Sequence, residues 1–272
     1  MRPMELKGSH VVVTGASRGI GAALAKEFAS AGAIVSVVAR SRAQLESLAM
    51  AIGGSAFQAD LLDDDQVDAL VPRIEAEAGP IDVLVNNAGL DSTQWLAACD
   101  PQEVRNVLRL NLETPAVLSR AVLPGMLARG RGHLVYVSSL AGTTSVPGLS
   151  VYSASKSGLN HLTACVRLEL RDTPLGCTLV APGPVDTAMW DHLEVTDAMA
   201  PAIKRMRRLH LIPKTSPDRV ARRTVKAVRN DKRHVRTPAR LSLSFWLGES
   251  PRRISEMILA KVPTDGGLPS RQ

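Results

Sequence analysis

Short runs of apolar, often β-branched residues alternate along the chain with longer stretches whose apolar positions follow a helical repeat. The short runs predict strands at 10–14, 34–39, 55–59, 81–85, 134–137, 177–181 and 234–237. The longer stretches predict helices at 21–31, 43–52, 63–78, 101–128 (in one piece or two), 152–171 and 216–230. This alternation predicts an α/β fold: a single Rossmann-type, doubly wound parallel sheet with helices on both faces.

The composition supports a packed sheet of this kind. Hydrophobic residues make up 45% of the 272 and aromatic residues only 3%, so the core is expected to consist of Ala, Val, Leu and Ile. No apolar run is long enough to predict a membrane-spanning helix, and a secretory signal pattern is absent from the start of the chain. Three cysteines without metal-ligand spacing indicate reduced thiols, no metal site and a cytoplasmic protein.

Positive charge is concentrated towards the end of the chain. Residues 1–200 carry 15 Lys and Arg against 21 Asp and Glu, whereas residues 201–272 carry 18 against 5. In the predicted helix 216–230 the basic residues form a stripe opposite an apolar one. Such a surface is typical of a solvated arginine-rich face and of contact with an anionic membrane. Nucleic acid is not expected as a partner, because a helix-turn-helix pattern and interleaved aromatic residues are both missing.

The first predicted strand runs into a glycine-rich turn, TGASRGIG. Glycine permits a tight backbone path and lets amide groups approach a pyrophosphate, and the next helix N-terminus supplies partial positive charge. The spacing G-x-x-x-G-x-G after a strand predicts a dinucleotide site, although three glycines in a turn can also be purely structural. The candidate cofactor-binding residues of this turn are Gly15, Ser17, Arg18, Gly19, Ile20 and Gly21.

The second predicted strand indicates which dinucleotide binds. An acidic residue at its end would favour NAD(H), but the strand ends in ARSR (39–42), and no acidic residue follows until the next helix. Arg40 and Arg18 can pair with a 2′-phosphate through charge-assisted hydrogen bonds, so NADP(H) is the expected cofactor. The alternative is that both arginines are plain surface residues. Asp60 and Leu61, after the third strand, are candidates for contact with the adenine.

Polar residues that follow the fifth strand carry the candidate chemistry. Tyr152 and Lys156 are four residues apart and share one face of a predicted helix, and Ser139 lies at the end of the strand before it. A nearby ammonium group and an oxidised nicotinamide both favour the phenolate, and so lower the tyrosine pKa from its usual value of about 10. The tyrosine can then exchange a proton with a carbonyl or alcohol oxygen that the serine hydroxyl holds. A Tyr-x-x-x-Lys pair alone is also common on ordinary helix surfaces.

The segments TGASRGIG, NNAG, VSS, YSASK and APGPVDT, in this order and spacing, resemble the classical short-chain dehydrogenases/reductases from about residue 7 to residue 187. The resemblance implies that Ser139, Tyr152 and Lys156 are catalytic and that Lys156 also binds the nicotinamide ribose. Asn111 matches a fourth catalytic position, which distorts its helix and holds a water that links the lysine to solvent. The resemblance places further residues along the cofactor: Asn87, Ala88, Gly89, Pro182, Gly183, Val185 and Thr187. It also implies a homodimer or homotetramer.

The chain departs from the family pattern after residue 187. The expected domain spans residues 1–238 with a substrate lid at about 187–212, and an extension follows at 239–272. The lid carries much apolar surface, contributed by Met189, Trp190, Leu193, Met199, Ile203, Met206 and Leu209. These side chains indicate a bulky hydrophobic substrate, with Met189 and Trp190 as substrate contacts, or they pack on the core or on a neighbouring subunit. The aromatic and basic extension fits either subunit packing or peripheral membrane contact.

These patterns predict an NADP(H)-dependent oxidoreductase that interconverts a carbonyl and a secondary alcohol. The expected substrate is a hydrophobic ketone or alcohol of the lipid, sterol, retinoid or acyl type, and reduction is the favoured direction. The rival hypothesis is a non-catalytic module that senses NADP(H) or a lipid and contacts a partner or membrane through its basic C-terminal region. Such modules usually lack the tyrosine or the lysine, and both are present here.

Overall fold

The computed structural model describes residues 4–187 and 214–237, together with residues 190, 196, 203–205 and 208. The strands are β1 (His10–Thr14), β2 (Ile34–Ala39), β3 (Ser55–Gln58), β4 (Val83–Asn86), β5 (His133–Val137), β6 (Gly176–Pro182) and β7 (His234–Thr237). The helices are α1 (Gly19–Ser30), α2 (Arg42–Ile52), α3 (Asp64–Ala78), α4 (Pro101–Leu108), α5 (Thr114–Arg129), α6 (Ser150–Glu169) and α7 (Pro217–Arg229). The strands form one parallel sheet in the order β3-β2-β1-β4-β5-β6-β7, which confirms the predicted doubly wound fold.

Alternate side chains of the central strands point into two separate cores. Val11 and Val13 of β1 pack with α1, α2 and α7 on one face, and Val12 packs with α3, α5 and α6 on the other. Because such strands are buried on both faces, their sequences are nearly continuous apolar runs rather than alternating ones. The strand order reverses direction between β1 and β4, so the crevice at their carboxyl ends is where a ligand of this fold is expected to bind.

The observed element boundaries lie within one or two residues of the predicted ones. The predicted helix at 101–128 is divided into α4 and α5 by a π-helix (Arg109–Glu113). β4 begins at Val83 rather than at residue 81, because the backbone of Ile81 bonds to side chains instead of a neighbouring strand. Its N–H donates to Glu75 Oε1 (3.1 Å), and its carbonyl oxygen accepts from Arg129 (2.8 Å).

α7 shows the two stripes that its sequence predicts, and its apolar stripe packs against α1. The residues of the apolar stripe, Val220, Thr224, Val225 and Val228, are all buried. In the basic stripe Arg219, Arg222, Lys226 and Arg229 are exposed and Arg223 is half-buried. The basic stripe therefore faces away from the core.

The chain leaves the sheet after β6 and returns before α7 at a single point. Val185 pairs with Thr215 in a short parallel bridge, and the Thr215 N–H donates to the Pro184 carbonyl oxygen (2.9 Å). Between these ends, the lid predictions for Met189, Leu193, Met199, Met206 and Leu209 lie outside the described residues, as does the predicted extension at 239–272. Where the chain is described, no helix has the length and apolarity to cross a bilayer, and no cluster of side chains could hold a metal ion.

His133 is expected to make the protein less stable in mild acid. Its ring is buried against the Thr178 hydroxyl (Nε2 to Oγ1, 2.8 Å), and burial lowers its pKa from 6.5 to about 3. Between these two pH values the unfolded chain takes up a proton that the folded protein does not. The stabilisation from this group is therefore complete above about pH 6.5 and is lost as the pH falls, by about 1.4 kcal/mol per pH unit.

Urea unfolding at neutral and mildly acidic pH measures this dependence. In the wild type, the unfolded state binds one more proton at His133 than the folded state does. His133→Gln is expected to remove this difference and so to make the free energy of unfolding depend less steeply on pH. His161→Gln, at an exposed position of α6, is the matched control and should keep the wild-type slope. Equal slopes in all three proteins would show that the His133 ring is not held neutral.

Candidate active site

The turn between β1 and α1 forms a cradle of backbone in which Gly15 and Gly21 leave no room for a side chain. Gly15 has a φ of +64°, and a Cβ there would lie 2.7 Å from the Cα of Ala88. A Cβ at Gly21 would overlap the carbonyl oxygen of Gly15. The first turn of α1 contains no acidic residue, and its N-cap residue Arg18 makes no side-chain capping bond. Its backbone N–H groups can therefore receive an anion, and the cradle fits the pyrophosphate of a dinucleotide.

The hydroxyl of Thr14 joins β1 to β4 at the point where the strand order reverses. It donates to the Val85 carbonyl oxygen (3.1 Å) and accepts from the backbone N–H groups of Asn87 (3.0 Å) and Ala88 (3.1 Å). The Asn87 side chain donates to the carbonyl oxygens of Thr14 (2.9 Å) and Gly15 (3.2 Å). Asn87 was predicted to line the cofactor, and these bonds show that its side chain also holds the glycine turn in shape.

Two arginines stand exposed at this edge of the sheet. Arg18 lies in the glycine turn and Arg40 directly follows β2. Neither guanidinium forms an ion pair within the described residues, whereas the nearby Arg42 pairs with Glu46 (Nε to Oε1, 2.7 Å). Arg18 and Arg40 are therefore available to a phosphate in a way that Arg42 is not.

The two residues predicted to contact the adenine are placed differently from each other. Asp60 is half-buried after β3, and its Oδ1 accepts from the backbone N–H of Leu62 (3.0 Å). The Leu61 side chain is buried in the core, and its carbonyl oxygen accepts from the Thr114 hydroxyl (2.9 Å). Leu61 thus anchors this loop to α5, and only Asp60 presents a partly accessible side chain.

The polar residues predicted to carry the chemistry meet at the carboxyl end of β5. Tyr152 and Lys156 lie on α6, with the Lys156 ammonium 5.8 Å from the centre of the tyrosine ring. Lys156 Nζ donates to the Val137 carbonyl oxygen (3.1 Å), and the Ser139 hydroxyl lies near enough to the Tyr152 phenol to oppose the rise of its pKa. The serine oxygen also accepts from the backbone N–H of Ala141 (3.1 Å). A substrate oxygen placed at the phenol would therefore meet two hydroxyl groups.

Asn111 lies in the π-helix and is completely buried. Its Oδ1 accepts from the Leu90 N–H (2.9 Å), and its Nδ2 donates to the Leu90 carbonyl oxygen (2.8 Å) and to the Ser155 hydroxyl (2.9 Å). A Cβ on Gly89 would lie 2.9 Å from Asn111 Oδ1 and 3.4 Å from Lys156 Nζ. Asn111 therefore holds the loop after β4 close to the lysine, and π-helical turns of this kind are frequent at functional sites. The water expected to link the lysine to solvent stays a prediction.

Burial dominates the protonation of both groups on α6. It raises the pKa of Tyr152 to about 12, with the Ser139 hydroxyl opposing the rise and the Asp91 carboxylate adding to it. Burial also lowers the pKa of Lys156 to about 8. The sequence predicts that Lys156 lowers the Tyr152 pKa. Within the protein alone, the loss of solvation on burial has the larger effect on this pKa. Near neutrality these side chains therefore keep Tyr152 as a phenol, which is the proton-donating form.

The residues after β6 approach the glycine turn from the other side. Pro182 ends β6, and the N–H of Gly183 donates to the Thr237 carbonyl oxygen (2.6 Å). The Thr187 methyl group would lie 3.5 Å from a Cβ on Gly19. The glycine turn that fits a pyrophosphate and the segment after β6 that was predicted to line the cofactor are thus neighbours in space.

Tyr152 is covered by a small apolar cluster. Leu149 and Ile203 are buried, and Trp190 packs against them together with the tyrosine ring. Trp190 was predicted to contact the substrate, and the structure places it beside the candidate proton donor. Asp91 was not predicted: its sequence signal is a single acidic residue directly after the NNAGL segment, and only the fold brings it near Tyr152.

The chain matches a family described as short chain dehydrogenase over residues 9–198. Among curated proteins it is 37% identical over 231 residues to a ketoacyl reductase, HetN, from a Nostoc species, covering 83% of this chain and 77% of that protein.

Solved structures show the same likeness. A metagenomic short-chain oxidoreductase in complex with NADP is 34% identical, with a TM-score of 0.69 over 86% of this chain and 98% of that one. A short-chain dehydrogenase/reductase from Burkholderia phymatum in complex with NAD is 26% identical, with a TM-score of 0.79 over 98% of this chain and 100% of that one.

Proposed function

We propose that this chain, which belongs to the short-chain dehydrogenase family, is an NADP(H)-dependent carbonyl reductase with Tyr152 as its proton donor. The family acts between CH–OH and C=O groups and uses a nicotinamide cofactor. The observation that carries the finer proposal is the Tyr152 phenol, which lies 5.8 Å (ring centre) from the Lys156 ammonium, has the Ser139 hydroxyl near it and is kept protonated by burial. Carbonyl reduction needs a proton donor, and oxidation would need the phenolate.

In the proposed reaction the C=O π bond becomes a C–H and an O–H bond. When bound, the reduced nicotinamide supplies the hydride to the carbonyl carbon. Tyr152 donates its proton to the carbonyl oxygen, Ser139 holds that oxygen through its hydroxyl, and solvent later returns a proton to the phenolate. Lys156 stabilises the phenolate and binds the nicotinamide ribose, and Asn111 positions the loop beside the lysine.

The glycine cradle supports the proposed cofactor contacts. The residues proposed to hold the cofactor are Gly15, Ser17, Arg18, Gly19, Ile20, Gly21, Arg40, Asp60, Leu61, Asn87, Ala88, Gly89, Tyr152, Lys156, Pro182, Gly183, Val185 and Thr187. The choice of NADP(H) over NAD(H) rests on Arg18 and Arg40, since a guanidinium without an ion-pair partner suits a 2′-phosphate. One solved relative binds NADP and another NAD, so the family alone leaves this choice open.

A hydrophobic substrate is proposed from the apolar cluster over Tyr152. Leu149, Ile203 and Trp190 form one wall next to the phenol, and one curated relative is a ketoacyl reductase. Assembly into a dimer or tetramer, contact of the basic C-terminal region with a membrane, a cytoplasmic location and the division at residue 238 stay predictions.

Arg40→Asp is expected to raise the KM for NADPH by about 10- to 100-fold, because it replaces a charge-assisted hydrogen bond to the 2′-phosphate with repulsion. The KM for NADH should change little or fall. The measurement is the oxidation of both cofactors with a set of hydrophobic ketones, which also tests the function itself. Tight NADPH binding without turnover of any ketone would favour the non-catalytic sensor.

Arg42→Asp is the matched control for this experiment. It introduces the same charge change two positions away, at a guanidinium that already pairs with Glu46 (2.7 Å). It should leave the preference for NADPH in place. If both variants lowered the preference equally, the effect would come from the general surface charge rather than from contact with Arg40.

A further inference from the structure

Asp91 is held beside the reacting centre by its neighbours in the chain. Both backbone groups of Leu90, the residue before it, are bonded to the Asn111 side chain (2.9 and 2.8 Å). Asn111 is in turn tied to α6 through Ser155, whose hydroxyl donates to the Tyr152 carbonyl oxygen (2.7 Å). The position of Asp91 is therefore coupled to the helix that carries Tyr152 rather than left to a free loop.

One oxygen of the Asp91 carboxylate has no hydrogen-bond partner among the described residues. This atom, Oδ2, is fully shielded from solvent. The other buried oxygens without a partner belong to neutral groups: Asn86, Ser153, Asn160 and Thr237. A buried carboxylate oxygen costs far more free energy than a neutral one when it lacks a donor. A carboxylate oxygen in this position calls for a donor that the described residues do not provide.

The surroundings of Asp91 identify where that donor would lie. Asp91 follows Gly89 and Leu90 on the loop that Asn111 holds beside Lys156, where a Cβ on Gly89 would lie 3.4 Å from Lys156 Nζ, and its charge contributes to the raised pKa of Tyr152. The apolar wall of Leu149, Ile203 and Trp190 covers the same phenol. A substrate carbonyl at Tyr152 would therefore have an apolar surface and a carboxylate as its neighbours.

We propose that Asp91 is a specificity-determining residue whose Oδ2 accepts a hydrogen bond from a hydroxyl or ammonium group of the substrate, close to its reacting carbonyl. The preferred substrate is then a hydroxy- or amino-ketone with an apolar body, and anionic keto acids are disfavoured by repulsion. This inference rests on the proposed carbonyl reductase function. A hydroxyl and an ammonium group share the donor chemistry, and the variants below separate them.

The test compares matched ketones as substrates with NADPH. The probes are heptyl methyl ketone, the corresponding hydroxymethyl and β-hydroxyethyl ketones, and the aminomethyl ketone. For the wild type, kcat/KM is expected to be at least about tenfold higher for a donor-bearing ketone than for heptyl methyl ketone, mainly through KM, since a hydrogen bond to a charged group is strong. Asp91→Leu should abolish this preference. Asp91→Asn keeps an acceptor without the charge. It should retain part of the preference for the hydroxyl-bearing ketones and lose the preference for the aminomethyl ketone.

Two further readouts separate this role from a merely structural one. Asp91→Asn should move the alkaline limb of the kcat/KM profile to lower pH, because the charge that raises the Tyr152 pKa is gone. It should also raise the Tm of the ligand-free protein, since it removes the charge from a carboxylate whose Oδ2 is shielded from solvent without a hydrogen-bond partner among the described residues. Asp68 is an exposed aspartate on α3, and Asp68→Asn makes the same charge change. This control should change neither the alkaline limb of the kcat/KM profile, nor the Tm, nor the substrate preference.

The outcomes of these experiments test the role of Asp91 separately from the proposed carbonyl reductase function. If the wild type reduces no ketone of the set with NADPH, the proposed function fails. If it reduces all of them and Asp91→Leu leaves their relative kcat/KM values unchanged, the function stands and the role of Asp91 is overturned. A lower Tm for Asp91→Asn would likewise overturn it, because the carboxylate would then be a structural group with a partner.

Discussion

Tyr152→Phe is expected to lower kcat for ketone reduction by about 10²- to 10⁴-fold, the usual contribution of a positioned general acid. The change removes only the phenol oxygen of a ring whose centre lies 5.8 Å from the Lys156 ammonium and whose hydroxyl is near Ser139. Without it, the carbonyl oxygen would have to take its proton from water in a buried site. The KM for NADPH should stay within a few-fold of the wild type, since the cradle at Gly15–Gly21 is untouched. Steady-state kinetics and NADPH titration measure the two effects.

The chain offers a matched control, because it has only two tyrosines. Tyr136 on β5 is fully buried, and its hydroxyl donates to Ser119 Oγ of α5 (2.8 Å). Tyr136→Phe should cost about 1 kcal/mol of stability through the lost hydrogen bond and leave kcat near the wild-type value. Near-normal turnover in Tyr152→Phe would contradict the proposed mechanism, in which Tyr152 is the proton donor.

Gly21→Ala is expected to weaken NADPH binding by about 10- to 100-fold and to lower the Tm by roughly 2–12 °C. The added Cβ would overlap the carbonyl oxygen of Gly15 and lie 2.5 Å from Asn87 Nδ2. The first of these atoms is backbone, so relief requires the turn itself to move. The same movement would break the Asn87 bonds to Thr14 and Gly15, which shape the cradle (2.9 and 3.2 Å). Calorimetric titration with NADPH and thermal unfolding measure the effects.

Gly125→Ala on α5 controls for the substitution itself. Its Cβ would meet the guanidinium of Arg129 (3.0 Å), a side chain that can adjust while it keeps its bond to Ile81, and alanine is the better helix former. This variant should bind NADPH like the wild type and be equally stable or more so. Wild-type binding by Gly21→Ala would mean that the cradle is not the pyrophosphate site.

The sequence was most informative where local structure and burial agree. β1 and β2 have their predicted bounds, because strands covered on both faces appear as unbroken apolar runs that end at glycine or arginine. The glycine turn and the Tyr152–Lys156 spacing were also visible, since each depends on residues close together in the chain. The structure adds that these segments and Ser139 meet at one end of the sheet.

Three features depend on contacts between distant residues and could not be predicted from local pattern. The bonds of Asn87 to the glycine turn span more than 70 positions of sequence. The rise of the Tyr152 pKa comes from burial under side chains of other elements, and the expected effect of Lys156 is smaller than that. Asp91 is an ordinary polar residue in the sequence, and only the fold removes its Oδ2 from solvent without a partner.

The bridge between Val185 and Thr215 has a consequence for how this enzyme can diversify. It brings the two ends of the intervening segment together, so the sheet and helix that carry Ser139, Tyr152 and Lys156 are complete whatever the length of that segment, which contributes Trp190 and Ile203 to the apolar wall. Closing a longer loop costs little, about 0.6 kcal/mol for each doubling of its length. Insertions and deletions between residues 188 and 213 are thus expected to lower the free energy of unfolding less than changes in the core do. Selection can reshape the substrate range of such a protein there while its hydrogen-transfer machinery is inherited unchanged.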